Sequence, residues 1–206
     1  MPLFLKGLVI GFSIAAPVGP IGLLCLQRSL AHGRMTGFVS GLGAATADAV
    51  YGALAAFGLG VVTHAMISQV HWLRLAGGLF LLYLGFATCR AAAPAAAAQA
   101  KEASRWSLAF VSTFALTLTN PLTILSFVGI FAGIGAESLG QGTGAAALLV
   151  AGVFVGSAAW WLFLANAAGW LRPRLQAGGM RFVNLAAGAI IAGFGVWQLA
   201  GLALRA

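Results

Sequence analysis

Long apolar runs, separated by short segments that carry the charges, dominate the pattern of this sequence. A bilayer core about 30 Å thick needs roughly 20 apolar residues per helix, so we place span boundaries where charged or polar residues interrupt the runs. The six predicted spans cover residues 3–26, 37–62, 72–89, 106–134, 144–170 and 182–204. The pattern therefore predicts an all-α, polytopic membrane protein with six transmembrane helices.

The chain divides into two related halves, residues 1–90 and 106–206, joined by an alanine-rich linker at 91–105. The third span, LRLAGGLFLLYLGF from Leu73, aligns without gaps on VNLAAGAIIAGFGV from Val183 in the sixth. The identical positions are Leu75/Leu185, Ala76/Ala186, Gly78/Gly188 and Gly85/Gly195. Chance similarity between apolar helices is the alternative. Three spans per half is an odd number, so a repeat would be inverted in the membrane, as in many secondary transporters.

Prolines interrupt the first and fourth spans at corresponding depths. The first span carries Pro17, Gly19 and Pro20, and the fourth carries Asn120 followed by Pro121. Proline removes a backbone donor, and a helix that restarts at proline after glycine or asparagine has a favourable first turn. We expect two restarted half-helices whose positive ends converge near the midplane, where they suit a carboxylate. Kinks that serve shape alone are the alternative.

Polar side chains inside the spans are the candidates for chemistry. Asp48 lies near the middle of the second span, where a carboxylate is costly unless it faces a polar cavity or a partner, so it is a functional candidate. An Asp48 that pairs with Tyr51 or with a backbone group to fix packing is the alternative. Thr117 and Thr119 flank the second break and offer hydroxyls to freed carbonyls or to a ligand.

Composition excludes a soluble fold, because 61% of the residues are hydrophobic and 7% are charged, against about 25% charged in soluble domains. The net charge of +8 does not indicate nucleic acid, because the basic residues are scattered between apolar runs. We expect the lipid bilayer as partner and no nucleic acid.

The basic residues also predict the orientation of the chain. Eight of the 11 fall on one predicted side, namely Arg28, Arg34, Arg90, Lys101, Arg105, Arg172, Arg174 and Arg181, and Lys6, Arg74 and Arg205 on the other. Positive residues favour the cytoplasmic side, so both termini should face away from the cytoplasm. Insertion dominated by Lys6 and a short N-terminus is the alternative.

The segment APVGPIGLLCLQRSLAHGRMTGFVSGLGAATADAVYGALAAFGLG, with LAGGLFLLYLG and TNP further on, resembles the LysE-type (LysE/RhtB) amino-acid exporter family. The family's P-G-P is P-V-G-P here. The resemblance implies export of small basic, hydroxylated or branched amino acids across the bacterial inner membrane, driven by a proton gradient or the membrane potential, as in an antiporter. It also implies a site at Asp48, Gly19, Pro20, Asn120 and Pro121, to which the breaks add Pro17, Thr117 and Thr119.

Other functions have weaker support in the sequence. A divalent-metal exporter is the alternative within transport, but the spans offer Asp48 and Cys25 as ligands, where metal transit needs a cluster. We expect no enzyme and no cofactor, because Ser157 lacks the G-x-S-G context of an intramembrane protease. A homo-oligomer stays open, since G-x-x-x-G pairs mark close helix packing within a chain or between subunits. Those pairs are Gly7/Gly11, Gly37/Gly41, Gly129/Gly133 and Gly152/Gly156.

Overall fold

The computed structural model describes residues 2–17, 19–57, 69–90, 102–134, 142–174 and 177–203. Within these ranges the chain forms eight α-helices and no strand. They are α1 (Leu3–Ala15), α2 (Pro20–His32), α3 (Arg34–Ala56), α4 (Val70–Arg90), α5 (Glu102–Leu118), α6 (Pro121–Ile134), α7 (Thr143–Leu171) and α8 (Ala177–Ala203). A short 3-10 helix, Arg172–Arg174, follows α7. The all-α class predicted from the sequence is confirmed.

The helices include four to six candidate membrane spans among the described residues. By length and composition α3, α4, α7 and α8 each suffice to cross a bilayer. Two further pairs qualify when each pair is taken together, α1 with α2, which meet at 82°, and α5 with α6, which meet at 63°. The protein is therefore a multi-pass membrane protein.

Several predicted boundaries differ from the observed helices. The predicted first span, 3–26, contains two helices, and the second continues to His32 before Gly33, whose φ of 96° makes the turn into α3. Helix α5 begins at Glu102, inside the predicted linker 91–105. The rest of that linker up to residue 101, and the end of the predicted second span at 58–62, lie outside the described residues.

Helices α3 and α7 pack antiparallel at the centre of the described bundle. A Cβ added at Gly52 would lie 3.6 Å from Val153, and one added at Gly41, three turns earlier, would overlap the Trp161 side chain. Helix α1 packs on α7 and α5 packs on α3. Each of these outer helices is the first member of a bent pair, so the breaks at their ends lie beside the central pair.

Two of the G-x-x-x-G pairs meet in the contact between α1 and α7. A Cβ added at Gly7 or Gly11 would overlap the backbone of Leu149 or Val153, and one added at Gly152 would lie 3.0 Å from the Cα of Gly7. The absence of side chains on both helices lets their backbones touch. These two motifs therefore serve packing within one chain.

Arg28 is not the loop residue that the sequence suggested. It lies in α2, and its guanidinium donates hydrogen bonds to oxygens of α3 and α5. The acceptors are Ser40 Oγ at 2.8 Å, Ser112 Oγ at 2.8 Å, Thr113 Oγ1 at 2.9 Å and the Ala109 carbonyl at 3.0 Å. Arg28 thus ties α2 to both helices, and the remaining basic residues still divide seven to three between the predicted sides.

Candidate functional site

Helices α2 and α6 each begin at a proline that follows a bend in the chain, and the residue before that proline shapes the helix start. Gly19 has extended backbone geometry, φ −103° and ψ −164°, and leads into Pro20 as the first residue of α2. At α6 the Asn120 Oδ1 accepts a hydrogen bond from the Leu122 N–H at 3.2 Å, which is the geometry of an N-cap. Helix starts carry N–H groups without partners inside the helix and a partial positive charge, so each can face an anion.

The two helix starts border one cavity of about 100 Å³. Gly19 and Pro20 line it from the first break, Thr117 and Asn120 line it from the second, and Asp48 lines it from α3. The rest of its lining is largely apolar, with Ile14, Ile21 and Trp161 among the contributors. The cavity therefore combines two positive helix ends and one carboxylate in largely apolar surroundings, to which Thr123 and Ser126 add hydroxyls.

Asp48 is buried, with 3% of its surface exposed, and its hydrogen-bond partner is on α7. Ser157 Oγ donates to Asp48 Oδ2 at 2.7 Å, and Trp161 Nε1 donates to Ser157 Oγ at 3.1 Å. The indole therefore fixes the hydroxyl, and the hydroxyl fixes one oxygen of the carboxylate. This chain of bonds links the central helices α3 and α7 at the border of the cavity.

Tyr51 is not the hydrogen-bond partner of Asp48 that one form of the packing alternative named. Its hydroxyl donates to the Leu118 carbonyl at 2.5 Å, at the end of α5. A helix end leaves carbonyls without partners inside the helix, so Tyr51 satisfies one of those that the second break frees. Asp48 therefore accepts its hydrogen bond from Ser157 and lines the cavity, and it does not bond to Tyr51.

Six of the eight residues predicted for the site line this cavity. They are Pro17, Gly19, Pro20, Asp48, Thr117 and Asn120. Pro121 instead lines a neighbouring, larger cavity. Thr119 Oγ1 donates to the Ala115 carbonyl at 2.9 Å, and Thr117 Oγ1 to the Thr113 carbonyl at 2.8 Å, so both hydroxyls bond to the preceding turn of their own helix.

Ser157 and Trp161 are site residues that the sequence reasoning missed. The sequence context of Ser157 indicates only that it is not a protease nucleophile, and Trp161 lies within an apolar run. Their spacing of four places both side chains on one face of α7, which was a usable signal. Ser157 lies in the middle of the fifth predicted span, which corresponds in the second half to the span that contains Asp48. A polar residue at that depth also indicates a partner for the Asp48 carboxylate.

Gln27 lies just past the end of the predicted first span, yet it is buried and bonds to another helix. Its side chain is 4% exposed, and Nε2 donates to Asn184 Oδ1 of α8 at 2.9 Å. The pair holds α2 against α8.

Among the described residues no group of three or more His, Cys, Asp or Glu side chains is placed to hold a metal ion.

Comparison with known proteins matches residues 12–200 to the family described as LysE type translocator. The chain is 29% identical to "Putative amino acid efflux protein YcgF" of Bacillus subtilis (strain 168), over 96% of this chain and 95% of that protein. It is 26% identical to the "Threonine efflux protein" of Escherichia coli (strain K12), over 86% of this chain and 88% of that one.

A third relative is the "Arginine exporter protein ArgO" of Klebsiella pneumoniae (strain 342), 27% identical over 91% of this chain and 89% of its own length. No solved structure matches the chain significantly. The family match covers nearly the whole sequence, from the end of α1 to the end of α8. The chain therefore belongs to the LysE type translocator family.

Proposed function

We propose that the protein exports small amino acids from the cytoplasm across the bacterial inner membrane. The observation that carries the proposal is the single cavity that both helix starts and Asp48 border. The relatives named for efflux of amino acids, of threonine and of arginine support the same class of substrate. The proposed class includes basic, hydroxylated and branched amino acids.

The size of the cavity favours a small substrate. Its volume of about 100 Å³ is well below the roughly 300–1,000 Å³ of pockets that hold drug-sized ligands. A molecule of a few heavy atoms fits that space, and a larger side chain would require the helices around the cavity to move apart. Small hydroxylated amino acids are therefore the first candidates to test.

The charges at the cavity suit a zwitterion. We infer that the substrate carboxylate faces the starts of α2 and α6, because a helix N-terminus attracts an anion. We infer that the ammonium group of the substrate lies beside Asp48, the acidic side chain that lines the cavity. When no substrate is bound, a coupling proton occupies Asp48 instead. Export would then be coupled to the proton gradient or to the membrane potential, as in an antiporter.

The contact between α4 and α8 supports the proposed inverted repeat. A Cβ added at Gly195 would lie 2.9 Å from the Gly78 carbonyl, and one at Gly85 would lie 2.7 Å from the Gly188 carbonyl. The sequence alignment equates Gly78 with Gly188 and Gly85 with Gly195. A twofold rotation that relates the halves would therefore exchange the Gly78–Gly195 contact with the Gly188–Gly85 contact. Such a rotation needs α4 and α8 to run antiparallel, and the two contacts have this order along the helices.

The outer helices support the same relation. In the first half α1 runs parallel to α7, with Gly7 beside Leu149 and Gly11 beside Val153. In the second half α5 runs parallel to α3, where Ser40 contacts Ala109 and Tyr51 contacts Leu118. Each bent pair thus lies against the central helix of the other half. We propose that each pair is one broken span and that the halves rock about the cavity during transport.

Impermeant cysteine labelling tests the orientation, which the uneven distribution of basic residues predicts. With Cys25 and Cys89 replaced by Ala, we expect a Cys at Ala206 to react in intact cells and a Cys at Ala98 to react only after the membrane is opened. A cytoplasmic linker and external termini give this pattern. Reaction at position 98 but not 206 in intact cells would reverse the assignment.

The export proposal is tested by loading cells with dipeptides that are hydrolysed internally. We expect cells that make the protein to release one or a few small amino acids, L-threonine first among those to test, several-fold faster than cells with an empty vector. The same strains are grown in added Mn²⁺, Zn²⁺ and Cd²⁺. Protection against a metal without faster release of any amino acid would favour the divalent-metal alternative and refute the proposal.

A further inference from the structure

A second cavity of about 430 Å³ adjoins the one that Asp48 lines. The two cavities share Pro20, Asn120 and Leu122, so the second begins where the helix breaks end the first. Its other sides come from α4, α6 and α8, and include the aromatic side chains of Phe194 and Trp197. A molecule that leaves the first cavity past the start of α6 enters this larger space.

Arg74 is the cation that lines this second cavity. It belongs to the first turns of α4, and its Nε is buried with no hydrogen-bond partner among the described residues. Its Nη1 lies 3.5 Å from the position of a Cβ on Gly201, at the far end of α8. A buried guanidinium N–H without an acceptor is costly, so an acceptor is expected to reach this group in the working protein.

The corresponding position in the other half is occupied differently. The alignment of the third and sixth spans equates Arg74 with Asn184, whose Oδ1 accepts the hydrogen bond from Gln27. A buried pair of amides thus occupies one of the two related positions, whereas an open cavity and a guanidinium occupy the other. The nearby amide of Gln198 is engaged as well, since its Nε2 donates to the Arg74 backbone carbonyl at 3.2 Å.

We propose that Arg74 forms an exit subsite that binds the carboxylate of the amino acid after it leaves the cavity at Asp48. The inference rests on the proposed function and extends it to the path of release. Arginine matches a carboxylate with two parallel hydrogen bonds, and the aromatic and aliphatic lining accommodates the rest of a small amino acid. The predicted orientation places this end of α4 on the external side, as release requires.

An arginine near the end of a membrane helix commonly extends toward the headgroups as an anchor. Arg74 departs from that behaviour, because it lines a cavity together with Asn120 and Pro121 at the second helix break. The contact of its Nη1 with Gly201 also directs the guanidinium across to α8 rather than along α4. The exit subsite accounts for this direction, and an anchor does not.

The test places a reactive thiol beside the guanidinium. Gly201→Cys, in a chain whose Cys25 and Cys89 are replaced by Ala, puts it next to Arg74 Nη1, where no other atom from a described neighbouring helix lies within 4 Å of a Cβ. The purified full-length variant is labelled with a maleimide in detergent, in the presence of each of the twenty L-amino acids or of ethylamine, the amine of alanine without its carboxylate. We expect at least one small amino acid to slow labelling about threefold or more, and ethylamine to have no effect.

Arg74→Gln is added to the labelled variant. We expect the amino-acid concentration that halves the labelling rate to rise about tenfold or more, because the charged hydrogen bonds to the carboxylate are lost. Arg90→Gln is the matched control, since Arg90 is at the other end of α4, over the Phe86 ring at 4.0 Å, and it should leave protection unchanged. Absence of protection by every amino acid, equal protection with Gln at position 74, or protection by ethylamine would each overturn the proposal. Export of an amino acid by the wild-type chain alongside such a result would leave the proposed function intact.

Discussion

Replacement of Asp48 by Asn is expected to reduce amino-acid export to the background of cells without the protein. Asparagine keeps the size of the side chain and can still accept the hydrogen bond from Ser157, so the contact between α3 and α7 is retained. What it loses is the negative charge at the cavity. Loss of one partner of a buried charge interaction costs about 3–5 kcal/mol, which corresponds to a rate at least about 100-fold lower.

The measurement is the initial rate of release of the exported amino acid from dipeptide-loaded cells at several external pH values. The amount of protein in the membrane and its elution as a single species in detergent show whether Asp48→Asn folds and inserts. Thr46→Val is the matched control, because Thr46 lies two residues, about half a helical turn, before Asp48. Its hydroxyl donates to the Leu42 carbonyl of its own helix at 2.8 Å. It should export at the wild-type rate.

Ser157→Ala should fall between these two variants. It leaves Asp48 Oδ2 and Trp161 Nε1 without their partner, and a buried polar group left unsatisfied costs about 1–3 kcal/mol. The carboxylate itself remains at the cavity. Wild-type export by Asp48→Asn with an unchanged pH profile would remove Asp48 from transport and leave it a role in holding α3 to α7.

The order of the elements could be predicted from the sequence because it depends on local properties of the chain. Apolar runs long enough to cross a bilayer set the helices, and proline after glycine or asparagine set the restarts at Pro20 and Pro121. Those same local features brought six of the eight predicted site residues to one cavity, because they lie at the two breaks and on the central helix. A position in a break or at the middle of a span can be inferred without knowledge of the neighbouring helices.

The partners of these residues could not be predicted, because they depend on how helices rotate against one another. Ser157 faces Asp48 across 109 positions of sequence, and Gln27 faces Asn184 across 157. Arg28 was assigned to a loop because a charge usually ends a span. Inside the bundle the oxygens of α3 and α5 satisfy its guanidinium, so the charge lies within a helix instead.

Replacement of Gly11 by Ala is expected to lower the stability of the protein strongly. Its Cβ would overlap the Val153 carbonyl oxygen and would lie 2.8 Å from the Val153 carbonyl carbon, so the clash is with backbone and no side chain can move aside. Overpacking typically costs 1–3 kcal/mol and occasionally more. We take the upper end, about 3 kcal/mol, and expect the apparent Tm in detergent to fall by about 6–12 °C, at about 2–4 °C per kcal/mol for a chain of this length.

Gly193→Ala is the matched control, because no atom of another described helix lies within 4 Å of a Cβ at that position in α8. Alanine favours a helix over glycine, so this variant should keep or slightly raise the Tm. Equal Tm values for the two variants would show that the contact between α1 and α7 does not hold the fold together.

The Gly11→Ala variant should also export more slowly, because the added methyl group displaces α1. Helix α1 ends at Ala15, and Ile14 and Ala15 line the cavity directly before the first break. Separation of α1 from α7 would move this part of the lining away from Trp161 and Asp48, and would widen a space of about 100 Å³. A Gly11→Ala protein that remains inserted should therefore bind its amino acid more weakly, which a higher internal concentration for half-maximal export would measure.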